Sequence, residues 1–190
     1  VIGISGCTAL LVTGFGVRDS VMDVAEHQYE RIQLFDLSVT CDNPVDAAAQ
    51  KEISEVLSDK ASGYAVVMEA SADLVTEDRS KALYLVAADA LQDMTPYLGL
   101  YTSDGETLDY PGLGECILQE QFAEQFGITV GDTITLRDED MRVMELRVSG
   151  LNVNYISSYA YISTQTYEQL LGEEAACKTI YVNMEEGADA

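Results

Sequence analysis

Residues 9–20 read ALLVTGFGVRDS, and two folds diverge on them. In one, ALLVT is a buried strand, Gly14 and Gly16 shape a turn, and a nucleotide-binding helix follows. In the other, the stretch is the outer end of a membrane helix that continues into a folded domain. The first needs a third close-packing glycine, and Asp19 stands in that place. An acid there blocks backbone approach and sets negative charge beside a pyrophosphate that seeks the positive end of a helix. Asp36, at the end of IQLFD, has the position of a ribose-binding acid, but the strand–helix alternation of a doubly wound sheet does not continue after it. The helix is the preferred reading.

The whole apolar run supports it. Residues 1–17, VIGISGCTALLVTGFGV, carry no charge. As a helix they would span roughly 25 Å, slightly short of a bilayer's hydrocarbon core. The run opens on Val1 and no A-x-A cleavage pattern follows, so the expectation is the end of a transmembrane helix over 1–16 rather than a secretory signal. Downstream, Val17, Val21, Val24, Ala25, Gln28 and Ile32 recur at helical spacing, which predicts one helix to about Arg31.

Composition removes other classes. Ten basic residues stand against 33 acidic ones, for a net charge of −23. Such a surface repels phosphate backbones, so nucleic acid is not an expected partner. Solubility is the plain consequence of this charge; attraction of a cationic ligand is the sharper one. Cys7, Cys41, Cys116 and Cys177 form no CxxC pair, and His27 is the only histidine, so no zinc site is expected. The cysteines read as small buried hydrophobes, with one disulfide among the last three left open.

The rest of the chain reads as α+β. IQLFDLSVT alternates as a strand. Asn43 suits an N-cap, Pro44 the first helical position and Asp46 the positive helix start. Val45, Ala48, Ala49, Ile53, Val56 and Leu57 make an apolar stripe that Gly63 ends, and YAVVMEA is a second strand. This is one βαβ unit over about 32–70. A second runs from YAYIS at Tyr159, through a helix capped by Thr164 and stopped at Gly172, to KTIYVNM. Between them KALYLVAA is a strand and Ser103–Glu106 a hairpin turn. A strand, a short helix with Phe122, Ala123 and Phe126 inward, and a stop at Gly127 come next. A hairpin then follows, with Ile134 and Leu136 on one face and Arg137–Asp140 at its tip.

No catalytic set emerges. His27 on a helix reads as a surface or partly buried histidine. Asp138, Glu139 and Asp140 lack the spacing of a calcium loop, so a solvated tip is expected. There is no G-x-S-x-G elbow, and 33 acids make coincidental carboxylate pairs certain. Tyr155, Tyr159 and Tyr161 cluster at the start of the second βαβ unit, as core or strand packing first and a contact surface second. No catalytic, cofactor-binding or metal residues are assigned, and no enzyme activity is expected.

Three segments together resemble the extracytoplasmic domain of FtsX-like, MacB-type ABC transporter permeases. GCTALLVTGFGVRDSV is similar to the end of a first membrane helix continuing outward as a stalk. GECILQEQFAEQFGITVGDTITLRDED is similar to the family's strand and short helix before a "GD" hairpin, in which Gly131 can take a positive φ and Asp132 can bond its own backbone. GLNVNYISSYAYISTQTYEQLLG is similar to a later strand and helix. The resemblance implies a porter-like subdomain from 17–94 and 155–190, built on the two βαβ units, with an inserted small β-rich subdomain at 95–154. It also implies a place at the cell membrane facing outward, where the acidic flank after Arg18 agrees with the rule that basic loops stay cytoplasmic. The implied role is mechanical: a cytoplasmic ATP-binding subunit, acting through membrane helices and a second permease copy, moves peptide, lipid or lipoprotein cargo outside the bilayer. The alternatives are an extracellular sensor for cationic peptides and, further off, a nucleotide-dependent oxidoreductase.

Overall fold

A computed structural model describes residues 2–185. It opens with helix α1 (Ile2–His27), followed without a break by a single π-helical turn, Gln28–Ile32. Residues 9–13 are therefore helical, and the strand that a nucleotide-binding sheet would need there does not exist. Neither Gly14 nor Gly16 interrupts the helix, and there is no break at Arg18. Ile32, expected to begin a strand, instead ends the π turn; the first strand, β1, is only Leu37–Thr40.

The remaining elements are α2 (Ala47–Leu57), β2 (Ala61–Val75), β3 (Ser80–Ala88), β4 (Glu115–Gln119), α3 (Glu120–Phe126), β5 (Thr133–Asp138), β6 (Val143–Asn152), β7 (Tyr159–Ser163), α4 (Thr164–Leu171) and β8 (Thr179–Met184). The fold is α+β. All eight strands join one sheet in the order β1-β8-β2-β3-β7-β4-β6-β5. The long strand β2 also pairs with β5, from Ala72↔Asp138 to Val75↔Thr135. That pairing closes β2-β3-β7-β4-β6-β5 into a ring, with β8 and β1 extending from the first half of β2. Closure leaves no edge along the ring to template aggregation.

Both β-α-β crossovers are present and both are split. β1 and β2 run parallel but hold β8 between them, each pairing with it antiparallel. β7 and β8 are parallel with β2 and β3 between them. Alternation along the strands sorts the residues by face. Leu74, Leu85, Leu118, Leu136 and Leu146 point into the main core, and α3 adds Phe122 and Ala123. Val67, Val86, Ile117, Tyr161 and Tyr181 lie in a second cluster, covered by Met94, Tyr97 and Leu98 of the loop after β3.

Local caps differ from the sequence reading by a few positions. Asp46, not Asn43, caps α2, its carboxylate accepting from Ala49 N–H at 2.8 Å. The helix packs a narrower stripe than expected: Ala49, Ile53 and Leu57 meet Val45, Ile180 and Val182, while Val56 stays exposed. Ser163, not Thr164, caps α4, because its hydroxyl is the one that accepts from Thr166 N–H. Gly63 does not end a unit. It sits inside β2 at a register shift against β8, beside the Tyr97 hydroxyl, where a side chain would collide. Gly127 and Gly172 do stop their helices, both in the left-handed region.

Candidate functional site: the junction of the N-terminal helix and the head

Helix α1 has 26 residues, a length of about 39 Å. From Leu10 to Met22 its apolar side chains have no cover. Leu10, Leu11, Val12, Phe15, Val17, Val21 and Met22 are all exposed, Leu10 by 75%. Apolar exposure of this extent marks a surface that meets another apolar surface. Among the described residues no helix is long and apolar enough to cross a membrane by itself.

At Gln28 the character changes. The π turn carries one residue more than an α turn, and its closing bond is Gln33 N–H to the Gln28 carbonyl at 2.8 Å. The extra residue turns Gln28 and Ile32 together into the head, where both are buried. Gln28 Oε1 accepts from Tyr155 N–H at 3.1 Å. The chain is then stitched to the loop after β3. Leu34 N–H donates to the Tyr97 carbonyl at 3.0 Å, and Gly99 N–H donates to the Ile32 carbonyl at 2.9 Å. Gln33 and Leu98 form an isolated antiparallel bridge. Gly99 is required here, since any Cβ would overlap the carbonyl oxygen of Arg31. Beyond it, Asp36 N–H donates to Val182 and the Asp36 carboxylate accepts from Met184 N–H at 2.7 Å. Asp36, which had the position of a ribose acid, thus ties the chain to β8.

Polar side chains collect under this junction. Gln119 Nε2 donates to the Asn154 carbonyl at 2.6 Å, and Asn152 and Asn154 are buried beside the Tyr161 hydroxyl. Gln28 Nε2 and Asn154 Nδ2 have no protein partner. Buried amides of this kind are held at a cost of about 1–3 kcal/mol each when unpartnered, and single π turns are frequent at functional sites. His27 is exposed and meets Tyr155 edge-to-face at 5.9 Å. With Arg31, Tyr101 and Ser103 they line a cleft of about 210 Å³ beside the junction.

The other residues raised by the sequence lie elsewhere. Asp138 is not at a solvated tip. It is 8% exposed and accepts from the N–H groups of Asp140 and Arg142 and from Arg142 Nε at 2.8 Å. Arg142 also reaches Asp140, Glu173 and the Tyr167 hydroxyl, joining the β5–β6 hairpin to α4. Sequence reading missed this hub because its partners sit 25 and 31 positions away. Among the described residues no group of three or more His, Cys, Asp or Glu is placed to hold a metal. Cys41, Cys116 and Cys177 are free thiols, so the disulfide left open among them is not formed; Cys7 lies where side chains are not described. Burial pushes the Cys116 thiol up to about 12, with the Glu115 charge adding to it. Gly131 has φ +99° and Asp132 accepts from Thr129 N–H at 2.7 Å, as the "GD" hairpin required.

The head is thus one α+β sheet with an apolar helix rooted in it. Residues 1–190 match the MacB-like periplasmic core domain, and the chain belongs to that family. The fold is shared with solved structures at low identity. One is the extracellular domain of the noncanonic ABC-type transporter YknZ from Gram-positive bacteria (16% identity, TM-score 0.52, covering 82% of this chain and 84% of that one). Another is the periplasmic region of MacB from Actinobacillus actinomycetemcomitans (14% identity, TM-score 0.50, 80% and 76%). Comparison with curated proteins finds no match.

Proposed function

We propose that this domain belongs to an ABC-type permease and passes motion from the membrane to cargo outside it. In this reading a cytoplasmic ATP-binding subunit moves the membrane helices, residues 1–16 are the end of one of them, and α1 carries the displacement to the head. A second permease copy and a peptide, lipid or lipoprotein cargo complete the system. The domain itself performs no chemistry. In this reading residues 17–94 and 155–190 are the porter-like part and 95–154 the inserted β-rich part.

One observation carries the proposal. Helix α1 enters the head without a flexible loop, and the turn that receives it is fixed by bonds from Gln28, Ile32 and Leu34 to three separate head residues. A lever needs such a root. The test is made in the whole permease with its ATP-binding partner. Four glycines inserted after Val17 should leave ATP hydrolysis running and abolish cargo movement, whereas four alanines, which keep the helix, should preserve part of it. Equal cargo movement in both variants overturns the lever.

A further inference from the structure

Facing away from the main core, β3, β7 and β8 carry a strip of aromatic rings. Tyr84 and Tyr159 stand opposite each other on β3 and β7, their rings 5.4 Å apart. Tyr159 continues onto Tyr161, stacked at 5.9 Å, and Phe35 stacks on Tyr181 at 4.1 Å. Tyr84 is 53% exposed and Tyr159 is half-buried. Glu69 on β2 lies within this strip. Glu69 is an exposed residue, and its carboxylate accepts part-buried bonds from the hydroxyls of Tyr181 and Thr179. The Glu69 charge also reaches Tyr159 and Tyr161, whose phenols are raised first by burial and then by neighbouring charge.

A fixed carboxylate beside the exposed Tyr84 ring and the half-buried Tyr159 has a definite chemistry. Ring faces are negative and attract cations, most strongly guanidinium and ammonium groups that are partly stripped of water. The wider field agrees, since a net charge of −23 draws cations from a distance. We propose that Tyr84, Tyr159 and Glu69 form a docking site for a cationic, partly apolar peptide segment, with an arginine or lysine over the Tyr84 face and its charge against Glu69. The inference goes beyond the lever and does not need it.

The test uses the 190-residue chain and a short synthetic peptide of alternating arginine and leucine that ends in tryptophan. The chain has no tryptophan, so peptide fluorescence reports binding alone. Wild type should bind, with affinity falling as salt rises. Tyr84→Ser and Glu69→Gln should each weaken binding by roughly fivefold or more. Glu173→Gln, an acid remote from the strip, should bind as wild type. Tyr84 is on the exposed face and glutamine keeps an acceptor for Tyr181, so unchanged thermal midpoints verify that both variants fold. Absence of binding overturns the site, as does binding that Tyr84→Ser and Glu69→Gln leave unaltered, which would mean attraction by net charge alone. Capture of phosphatidylcholine vesicles through the same residues, without peptide binding, also overturns it. None of these results bears on the glycine-insertion test, so the two readings fail separately.

Discussion

The backbone N–H of Tyr155 donates to Oε1 of Gln28 at 3.1 Å, across 127 positions of sequence. This bond joins the end of the N-terminal helix to the loop before β7, and Gln28 is fully buried where it forms. Replacing Gln28 by leucine fills the same space but leaves the Tyr155 N–H without a partner. Leucine also removes the orphaned Gln28 Nε2, an opposing effect of similar size, about 1–3 kcal/mol, so the bond is read by hydrogen exchange at Tyr155 rather than by stability: its N–H should exchange faster in the variant than in wild type. Exchange as slow as in wild type would show that the bond does not fix the junction.

Gly99 makes a second prediction at the same place. A methyl group there would fall on the Arg31 carbonyl and within 2.6 Å of the Tyr101 ring. Gly99→Ala should cost about 1–3 kcal/mol or more, as overpacking does. It should also speed hydrogen exchange at Leu34 and Gly99, whose N–H groups bond across the junction. Slow exchange at both would show that the π turn adapts without opening.

The hairpin before β5 gives a pH prediction. Bonds from the Thr129 N–H and then from its hydroxyl hold the Asp132 carboxyl below its ordinary value of 3.8. A depressed carboxyl contributes stability that is fully present above its unfolded value and is lost as pH falls through the folded one. The gap in thermal midpoint between wild type and Asp132→Ala should therefore be constant above pH 3.8 and narrow below it. A gap unchanged into strong acid would contradict the hydrogen-bonded carboxylate.

Cysteine reactivity is a fourth test. Burial, followed by the charges of Glu168, Asp89 and Glu174, pushes the Cys177 thiol up to about 11. Because the thiolate is the attacking species, alkylation at Cys177 should still be climbing with pH beyond the ordinary thiol value of 9.0. Peptide mapping by mass spectrometry isolates this site from Cys41. A plateau near that ordinary value would contradict the environment described for it.

Much of this architecture was legible in the residues, because it rests on local signals. Gly127 and Gly172 stop their helices, Phe122 and Ala123 point inward, Ile134 and Leu136 share a face, and Gly131–Asp132 make the turn. What was hidden depends on distant partners. Nothing in Leu37–Thr40 announces that β8 will pair with it and separate it from β2. The run of β2 through Gly63 is set by its pairing with β8, not by glycine's own tendency to break strands. Gln28 fitted a helical stripe, but periodicity alone could not show the π turn that buries it. Asp138 looked solvated because Arg142, Glu173 and Tyr167 come together only in the folded chain.

The central claim is that α1 and the head move as one body. Spin labels at Val12→Cys on α1 and Leu113→Cys on the head, both exposed positions, can be placed in the whole permease with its native cysteines replaced. Pulsed electron resonance then gives the distance distribution with and without a non-hydrolysable ATP analogue. A rigid root predicts one narrow distance, unchanged between the two nucleotide states, while the whole assembly moves. A broad distribution, or a distance that shifts with nucleotide, would place the flexibility inside the junction and contradict the lever.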